Sequence, residues 1–216
     1  MQRGIQKEQR DSRGKFKLKS NIRKDIFNIP NLFTLFRVIL IPVVAVLITY
    51  ESPRNGYLAA LFFSIASGTD FIDGYLARRL NLITITGKFL DPLADKLMVI
   101  TSLVMLIPLN RVPAWLVVIL LAREFSITVL RALASQEGLV LSAGQEGKAK
   151  AALQMVGIVG LLVHYPYEIN FVLFKGVIDF HRVGIILVVL SMVFSLLSAF
   201  SYFKWFVSEI DKRANT

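Results

Sequence analysis

Cysteine is absent from the 216-residue sequence, and histidine occurs only twice, at His164 and His181. The missing cysteines exclude disulfides, thiolate metal sites and cysteine nucleophiles, and they leave the cellular compartment open. Neither histidine has a partner at metal-ligand spacing, so we interpret both as interface residues rather than ligands. Acidic residues are also scarce, at 15 against 25 lysines and arginines, which gives a formal charge of +10.

The positive charge does not indicate nucleic-acid binding. The basic residues lie beside apolar runs, whereas an RNA-binding module spreads them over a soluble surface studded with aromatic side chains. We therefore expect anionic membrane lipid as the partner of this charge, and no nucleic acid.

Apolar residues dominate what is present, at 55% of the chain with a mean hydropathy of +0.59. A soluble domain of this size cannot bury so much apolar side chain, so the composition predicts an all-α integral membrane protein. Six stretches approach the roughly 20 residues that a bilayer-spanning helix needs. The predicted spans cover residues 32–50, 57–79, 88–109, 113–133, 148–166 and 183–206.

The distribution of lysine and arginine predicts the orientation of these spans. Nine of the first 25 residues are basic, and Arg78, Arg79 and Lys88 flank the turn between the second and third spans. We expect both termini and this turn on the cytoplasmic side. Residues 1–27 then form a basic cytoplasmic tail, and 28–216 the membrane domain. The charged segment 167–181 is too short to span, and we expect it along the outer interface.

Four aspartates at 70, 73, 91 and 95 stand out in this apolar chain. An unpaired aspartate in mid-membrane costs roughly 2.5–3.5 kcal/mol, so together they need compensation. Helical spacing puts Asp70 and Asp73 on one face of the second span, and Asp91 and Asp95 on one face of the third. A tight turn brings the two faces together. The alternative is an ion-pair network with Arg78, Arg79, Lys88 and Lys96.

Converging carboxylates without histidine or cysteine fit a hard cation, Mg²⁺ or Mn²⁺. Two such ions, about 3.5–4 Å apart, are the usual apparatus for displacement at phosphorus. Intramembrane carboxylates are functional by default, so this chemistry is the interpretation that we prefer to the ion-pair network.

Basic side chains on other spans predict a second anion site. Arg123 and Arg131 are eight residues apart and so point to nearly the same side of the fourth span, and Lys148 and Lys150 open the fifth. We expect them to bind a phosphate on an acceptor substrate. Interfacial anchoring is the alternative for the two lysines. Pairing of Arg123 with Glu124 is expected to be weak, because neighbours in a helix point about 100° apart.

The first span adds polar residues within reach of the same region. We expect Arg37 to contact the acceptor phosphate, with lipid-headgroup contact as its alternative, and Asn31 and Thr34 to contact a nucleotide.

The aspartates belong to a longer pattern, D70-x-x-D73-G74-x-x-A77-R78, eight residues, and then G87-x-x-x-D91-x-x-x-D95. With its six spans, the chain resembles the CDP-alcohol phosphotransferases. The resemblance implies a dimeric bundle with a cytoplasm-facing polar cavity that holds two divalent ions. It further implies that the metals are bound by the four aspartates, Asp70, Asp73, Asp91 and Asp95. The catalytic residues would be Asp91 and Asp95, with Asp95 as the general base. The residues implied to line the cytidine diphosphate site are Gly74, Ala77, Arg78 and Gly87.

Three further stretches, "NIPNLFTLFRVILIP", "AREFSITVLRALASQEG" and "GKAKAALQM", are similar to bacterial members of this family whose acceptor is sn-glycerol 3-phosphate. The resemblance implies transfer of a phosphatidyl group from CDP-diacylglycerol in the bacterial cytoplasmic membrane, giving phosphatidylglycerophosphate and CMP. Inositol phosphate, serine or phosphatidylglycerol are alternative acceptors. An ion-coupled transporter is a non-enzyme alternative, but its sites usually lie at the midplane on broken helices, whereas these aspartates cluster at one face.

Overall fold

The structure is a computed structural model that describes residues 29–80, 85–137, 139, 145–171 and 174–214. The predicted cytoplasmic tail, 1–27, lies outside these residues. The described residues form six α-helices, which are α1 (Ile29–Thr49), α2 (Pro53–Leu80), α3 (Ile85–Leu106), α4 (Ala114–Gln136), α5 (Gln145–Val163) and α6 (Phe180–Ala214). Each of the six stretches predicted from apolar runs is confirmed as a helix.

The helix ends differ from the predicted spans where charged residues continue a helix beyond its apolar part. Helix α6 contains 35 residues and ends at Ala214, past the predicted limit of 206. Its last turn includes Lys212 and Arg213, which interact favourably with the partial negative charge at a helix C-terminus. Helix α4 begins directly after Pro113, whose extended backbone stops any earlier helical turn.

Two β-strands connect α5 to α6, and the sequence analysis did not predict them. Strands β1 (Pro166–Phe171) and β2 (Phe174–Asp179) pair antiparallel, with Pro166 opposite Asp179. The segment is rich in aromatic and β-branched residues, which favour strands. A hairpin of two strands is marginal by itself. Here the ring of Tyr167 packs edge-on against Phe180 at the start of α6, with centroids 5.8 Å apart.

Helices α5 and α6 cross closely through glycines. A Cβ atom added at Gly184 would lie 2.7 Å from the backbone nitrogen of Leu161 and 2.9 Å from the carbonyl oxygen of Gly157. A Cβ at Gly160 would lie 3.0 Å from the Cα of Gly184. The absence of side chains therefore lets the two backbones touch, as small residues do where membrane helices meet.

The apolar core lies between all six helices and is contributed by fully buried residues such as Val44, Phe63, Leu103, Leu116 and Leu161. Large apolar side chains also cover the outside of the bundle, and on α6 they include Ile186, Leu197 and Phe200, the last 72% exposed. Continuous apolar surface of this kind is rare on soluble monomers.

Within the described residues, Leu32–Thr49 and Phe180–Arg213 are long and apolar enough to cross a bilayer, judged by length and composition. The stretch Ala149–Val163 is apolar but shorter. Helices α2, α3 and α4 are interrupted by charged side chains, and these include Asp70, Asp95 and Arg123, for which the sequence predicts a role in the site.

Candidate active site

The backbone places the aspartate pattern on two helices. Helix α2 continues without a break through Asp70 and Asp73, and α3 contains Asp91 and Asp95. Both pairs therefore stand at helical spacing within continuous helices, as the prediction of a shared helix face requires. Side-chain placement at several predicted site residues lies outside the described part of the structure, namely at Asn31, Asp70, Asp73, Gly74, Ala77, Arg78, Gly87 and Lys148. The turn at 81–84 is also outside it.

A hydrogen bond connects the first helix to the aspartate pattern. The hydroxyl of Thr34, a buried residue on α1, donates to Oδ1 of Asp91 on α3. The two residues are 57 positions apart in sequence. The contact places Thr34 where it orients a predicted metal ligand.

A cavity of about 100 Å³ lies between α3, α4 and α5. Its polar lining consists of Asp95, Lys96, Glu124, Lys150 and Gln154. The predicted general base and one of the predicted phosphate-binding lysines therefore line the same space. A few convergent polar groups in a concave space are typical of small-molecule sites, which are usually larger, at about 300–1,000 Å³.

Glu124 is the centre of the charge network at this cavity. One of its carboxylate oxygens lies 2.6 Å from Nζ of Lys150 and 3.3 Å from Nη1 of Arg123. The other carboxylate oxygen of Glu124 lies 3.7 Å from Nζ of Lys96. The same Nζ donates a hydrogen bond of 2.5 Å to the hydroxyl of Thr128. Three cations on three helices thus converge on one acidic side chain.

The expectation that Arg123 and Glu124 pair only weakly is wrong. Their Cβ atoms do point in different directions, but both side chains are long enough to bend towards each other. Sequence spacing also gave no sign that Lys96 and Lys150 meet Glu124, since spacing defines the faces of one helix and not the contacts between helices. Glu124 is the site residue that the sequence analysis missed.

Two arginines on α4 reach α6. Arg123 donates from Nε to the carbonyl oxygen of Ser195, at 2.9 Å, and the guanidinium of Arg131 lies 5.6 Å from the ring centroid of Tyr202. The Arg123 side chain is almost buried and Arg131 is exposed. The two predicted anion ligands are therefore held by the same neighbouring helix, with Arg131 at the more accessible end.

Arg37 is fully buried between α1 and α2. Its Nε donates a hydrogen bond of 3.1 Å to the carbonyl oxygen of Ala66. A buried arginine needs such partners, so the contact contributes to the packing of the first two helices. Its assignment to the acceptor phosphate stays a prediction.

Among the side chains that the structure describes, no three histidine, aspartate or glutamate residues are grouped as a metal site. Two of the four predicted carboxylate ligands, those of Asp70 and Asp73, fall outside that set. The metal site therefore stays a prediction that rests on the motif and on Asp91 and Asp95.

The two histidines lie together, His164 directly after the end of α5 and His181 in the first turn of α6. The rings of His164 and His181 are 4.9 Å apart between centroids, and Arg111 lies nearby over the ring of Tyr165. Burial lowers the pKa of His164 below its ordinary value, and the positive charges of Arg111 and His181 lower it further. A neutral imidazole in a ring cluster agrees with a structural role.

Comparison with known proteins adds independent findings. The profile of the family described as CDP-alcohol phosphatidyltransferase matches residues 27–203. The chain is 42% identical, over 157 residues, to a CDP-diacylglycerol--glycerol-3-phosphate 3-phosphatidyltransferase of Bacillus subtilis, which covers 67% of this chain and 81% of that protein. Proteins of the same description from Rickettsia bellii and Escherichia coli are 36% identical over 177 residues and 40% identical over 142. These alignments cover 82% and 63% of this chain, and 94% and 77% of the relatives.

Proposed function

The chain belongs to the CDP-alcohol phosphatidyltransferase family, and from this premise we propose that it transfers the phosphatidyl group of CDP-diacylglycerol to sn-glycerol 3-phosphate. The products are phosphatidylglycerophosphate and CMP, and the protein is a membrane-bound transferase of phospholipid biosynthesis. The relatives named for this activity match most of the chain, which favours glycerol 3-phosphate over inositol phosphate, serine or phosphatidylglycerol as the acceptor. Family membership likewise favours an enzyme over a transporter.

The observation that carries the proposal is the cavity shared by Asp95 and Lys150. An acceptor that has a phosphate at one end and a primary hydroxyl at the other needs a cation and a base in the same pocket. Lys150, with Arg123 beside it, supplies the positive charge, and Asp95 supplies the carboxylate. An acceptor without a phosphate, such as serine, would have no use for these cations, whereas inositol phosphate would, so the named relatives decide between the two phosphorylated acceptors.

The reaction then proceeds by displacement at phosphorus. The terminal hydroxyl of glycerol 3-phosphate gives its proton to Asp95 and attacks the phosphorus that carries diacylglycerol. A new P–O bond forms to the acceptor, and the bond to the bridging pyrophosphate oxygen breaks, so that CMP leaves with that oxygen. A carboxylate suits this task when the hydroxyl is polarised, because only modest basicity is then needed.

Divalent cations form part of the proposal. The donor set fits Mg²⁺ or Mn²⁺, since Asp91 and Asp95 offer carboxylate oxygens and the hydroxyl of Thr34 orients one of them. Asp70, Asp73, Asp91 and Asp95 would hold two ions. When bound, such ions stabilise the negative charge of the pyrophosphate and of the leaving CMP.

The membrane arrangement is proposed as well. Six helices span the cytoplasmic membrane of a bacterium, both termini and the polar cavity face the cytoplasm, and two copies form a homodimer. The apolar outer surface of α6 is suited to contact with lipid tails. The basic residues of the 1–27 tail are suited to bind anionic lipid headgroups. CDP-diacylglycerol reaches the site laterally from the bilayer, with its nucleotide bound by Asn31, Thr34, Gly74, Ala77, Arg78 and Gly87.

An acceptor panel tests the function. Purified protein in mixed micelles receives radiolabelled CDP-diacylglycerol with glycerol 3-phosphate, inositol phosphate, serine or phosphatidylglycerol, each with and without EDTA. We expect labelled phosphatidylglycerophosphate from the first acceptor alone, loss of product with EDTA, and recovery on addition of excess Mg²⁺ or Mn²⁺. Turnover only with another acceptor would overturn the substrate, and activity that survives complete metal removal would overturn the metal site.

A further inference from the structure

Glu124 is an acidic residue at a site that has to attract a phosphate. Its side chain is 33% exposed, whereas those of its partners Lys150 and Arg123 are only 11% and 9% exposed. A carboxylate in this position would repel an anionic acceptor if it acted alone. Its contacts therefore require an explanation other than direct substrate binding.

The positive charges around the Glu124 carboxylate outnumber its single negative charge. Lys96, Arg123 and Lys150 contribute three positive charges and Glu124 one negative charge, which leaves a net charge of +2. A phosphate monoester carries about −1.5 to −2 at pH 7. The four side chains of the cluster thus retain a net positive charge that attracts the acceptor phosphate, even with the one negative charge that Asp95 adds to the same cavity.

The carboxylate also fixes where the cations point. Without it, three like charges in a half-buried space repel one another and have rotamer freedom to separate. Lys150 donates to Glu124 at 2.6 Å, a short charge-assisted hydrogen bond that sets the direction of its ammonium group. An ammonium has three N–H donors and a guanidinium five, so both groups retain donors for a second anion.

A purely structural ion pair between helices would have no reason to open onto the reaction cavity. Glu124 and Lys150 both line the cavity that also contains Asp95. The cluster therefore lines the same cavity as the predicted base, as an acceptor that must contact both requires.

We infer that Glu124 is a positioning residue, which holds Lys150 and Arg123 in the orientation that binds the phosphate of the acceptor. The inference rests on the proposed function and deepens it by assigning a role to a residue outside the aspartate motif.

The test is the steady-state kinetics of Glu124→Gln with the full-length protein in mixed micelles. Glutamine keeps the shape but removes the charge, so we expect the KM for glycerol 3-phosphate to rise about tenfold, as for the loss of one charge-assisted hydrogen bond. The kcat and the KM for CDP-diacylglycerol should change by less than about twofold. An unchanged KM for glycerol 3-phosphate, or a lower one, would overturn the inference.

Glu137→Gln is the matched control, because Glu137 is an exposed residue just after the end of α4 and the substitution removes the same charge. It should leave all three constants unchanged. Glu124→Asp keeps the charge but shortens the side chain, and we expect it to raise the KM less than glutamine does. If Glu124→Gln cannot be purified in folded form, Glu124→Asp decides, and a wild-type KM in that variant would contradict positioning through direct contact.

A double-mutant cycle distinguishes positioning from general stability. In a Lys150→Met background, Glu124→Gln should raise the KM by only about two- to threefold, since one of the side chains that it positions is gone. Full additivity of the two effects would contradict the inference. Failure of the wild-type protein to use glycerol 3-phosphate would instead overturn the proposed function, so the two failures are separable.

Discussion

Thr34 on α1 donates a hydrogen bond from its hydroxyl to Oδ1 of Asp91 on α3. The contact links the helix that precedes the aspartate motif to the motif itself. A carboxylate that binds a metal through one oxygen is commonly oriented by a hydrogen bond of this kind. In the proposed metal site, Thr34 therefore acts by orienting Asp91.

Replacing Thr34 by valine removes this donor and nearly preserves the shape of the side chain. We expect activity at limiting Mg²⁺ to fall about 10- to 100-fold, the usual effect of losing a hydrogen bond to a metal ligand. Thr34→Ser should retain most activity. Thr49→Val is the control, because the exposed Thr49 hydroxyl donates to the carbonyl oxygen of Ala45 in its own helix. Equal activity of Thr34→Val and wild type across a Mg²⁺ titration would contradict the role.

Asp95→Asn tests the general base. Asparagine cannot accept the proton of the attacking hydroxyl, so kcat at saturating metal should fall about 10²- to 10⁴-fold. The measurement is release of CMP under saturating concentrations of both substrates. Asp211→Asn, at an exposed position near the end of α6, should leave kcat unchanged. Near-normal turnover of Asp95→Asn would remove the assignment.

The sequence predicted the helices well and the contacts between them poorly. Apolar runs of about 20 residues predicted all six helices, because a chain that crosses a bilayer repeatedly needs runs of that length. The β1–β2 hairpin was missed, since 167–181 was judged only by charge and length and not by its β-branched and aromatic residues.

In the candidate site, too, the positions along each helix were predicted and the contacts between helices were not. Spacing placed Asp91 and Asp95 on one face of α3, which the continuous helix supports. Convergence of Lys96, Arg123 and Lys150 on Glu124 depends on how α3, α4 and α5 pack, and a single sequence carries no direct record of that packing. Contacts of this kind become visible only in three dimensions.

Arg131 provides a test of the acceptor site at its exposed end. Its guanidinium lies over the ring of Tyr202, which holds it at the α4–α6 interface. Arg131→Ala should raise the KM for glycerol 3-phosphate about tenfold, because a hydrogen bond to a charged group is lost. Arg213→Ala is the matched control, since Arg213 is also exposed and donates to the carbonyl oxygen of Glu137. An unchanged KM for Arg131→Ala would count against its place in the phosphate site.

The lowered pKa of His164 predicts how the free energy of unfolding depends on pH. Its pKa is lowered in the folded protein, so the unfolded chain takes up this proton first as the pH falls through about 6.5. Its contribution to stability is therefore present at neutral pH and declines below it. We expect His164→Asn, which tolerates the positive φ of 61° at this position, to show a smaller drop in melting temperature between pH 7.5 and 5.5. An identical drop in variant and wild type would contradict this assignment.

Gly184 tests the crossing of α5 and α6. A methyl group there would lie 2.7 Å from the backbone nitrogen of Leu161, and a backbone atom cannot move aside as a flexible side chain can. Gly184→Ala should therefore destabilise the protein by about 1–3 kcal/mol, the usual effect of overpacking. In a chain of this size that lowers the melting temperature by about 2–4 °C for each kcal/mol.

For Gly68→Ala, which is the same chemical change at another helix position, we expect no loss of stability. Gly68 lies within α2, and a Cβ atom there would meet nothing within 4 Å. Alanine is a better helix former than glycine by about 0.5–1 kcal/mol, so the melting temperature in detergent should stay unchanged or rise. Because both variants add one methyl group to a helix, only the contact with α5 separates them. Equal melting temperatures for the two variants would mean that α5 and α6 do not cross through Gly184.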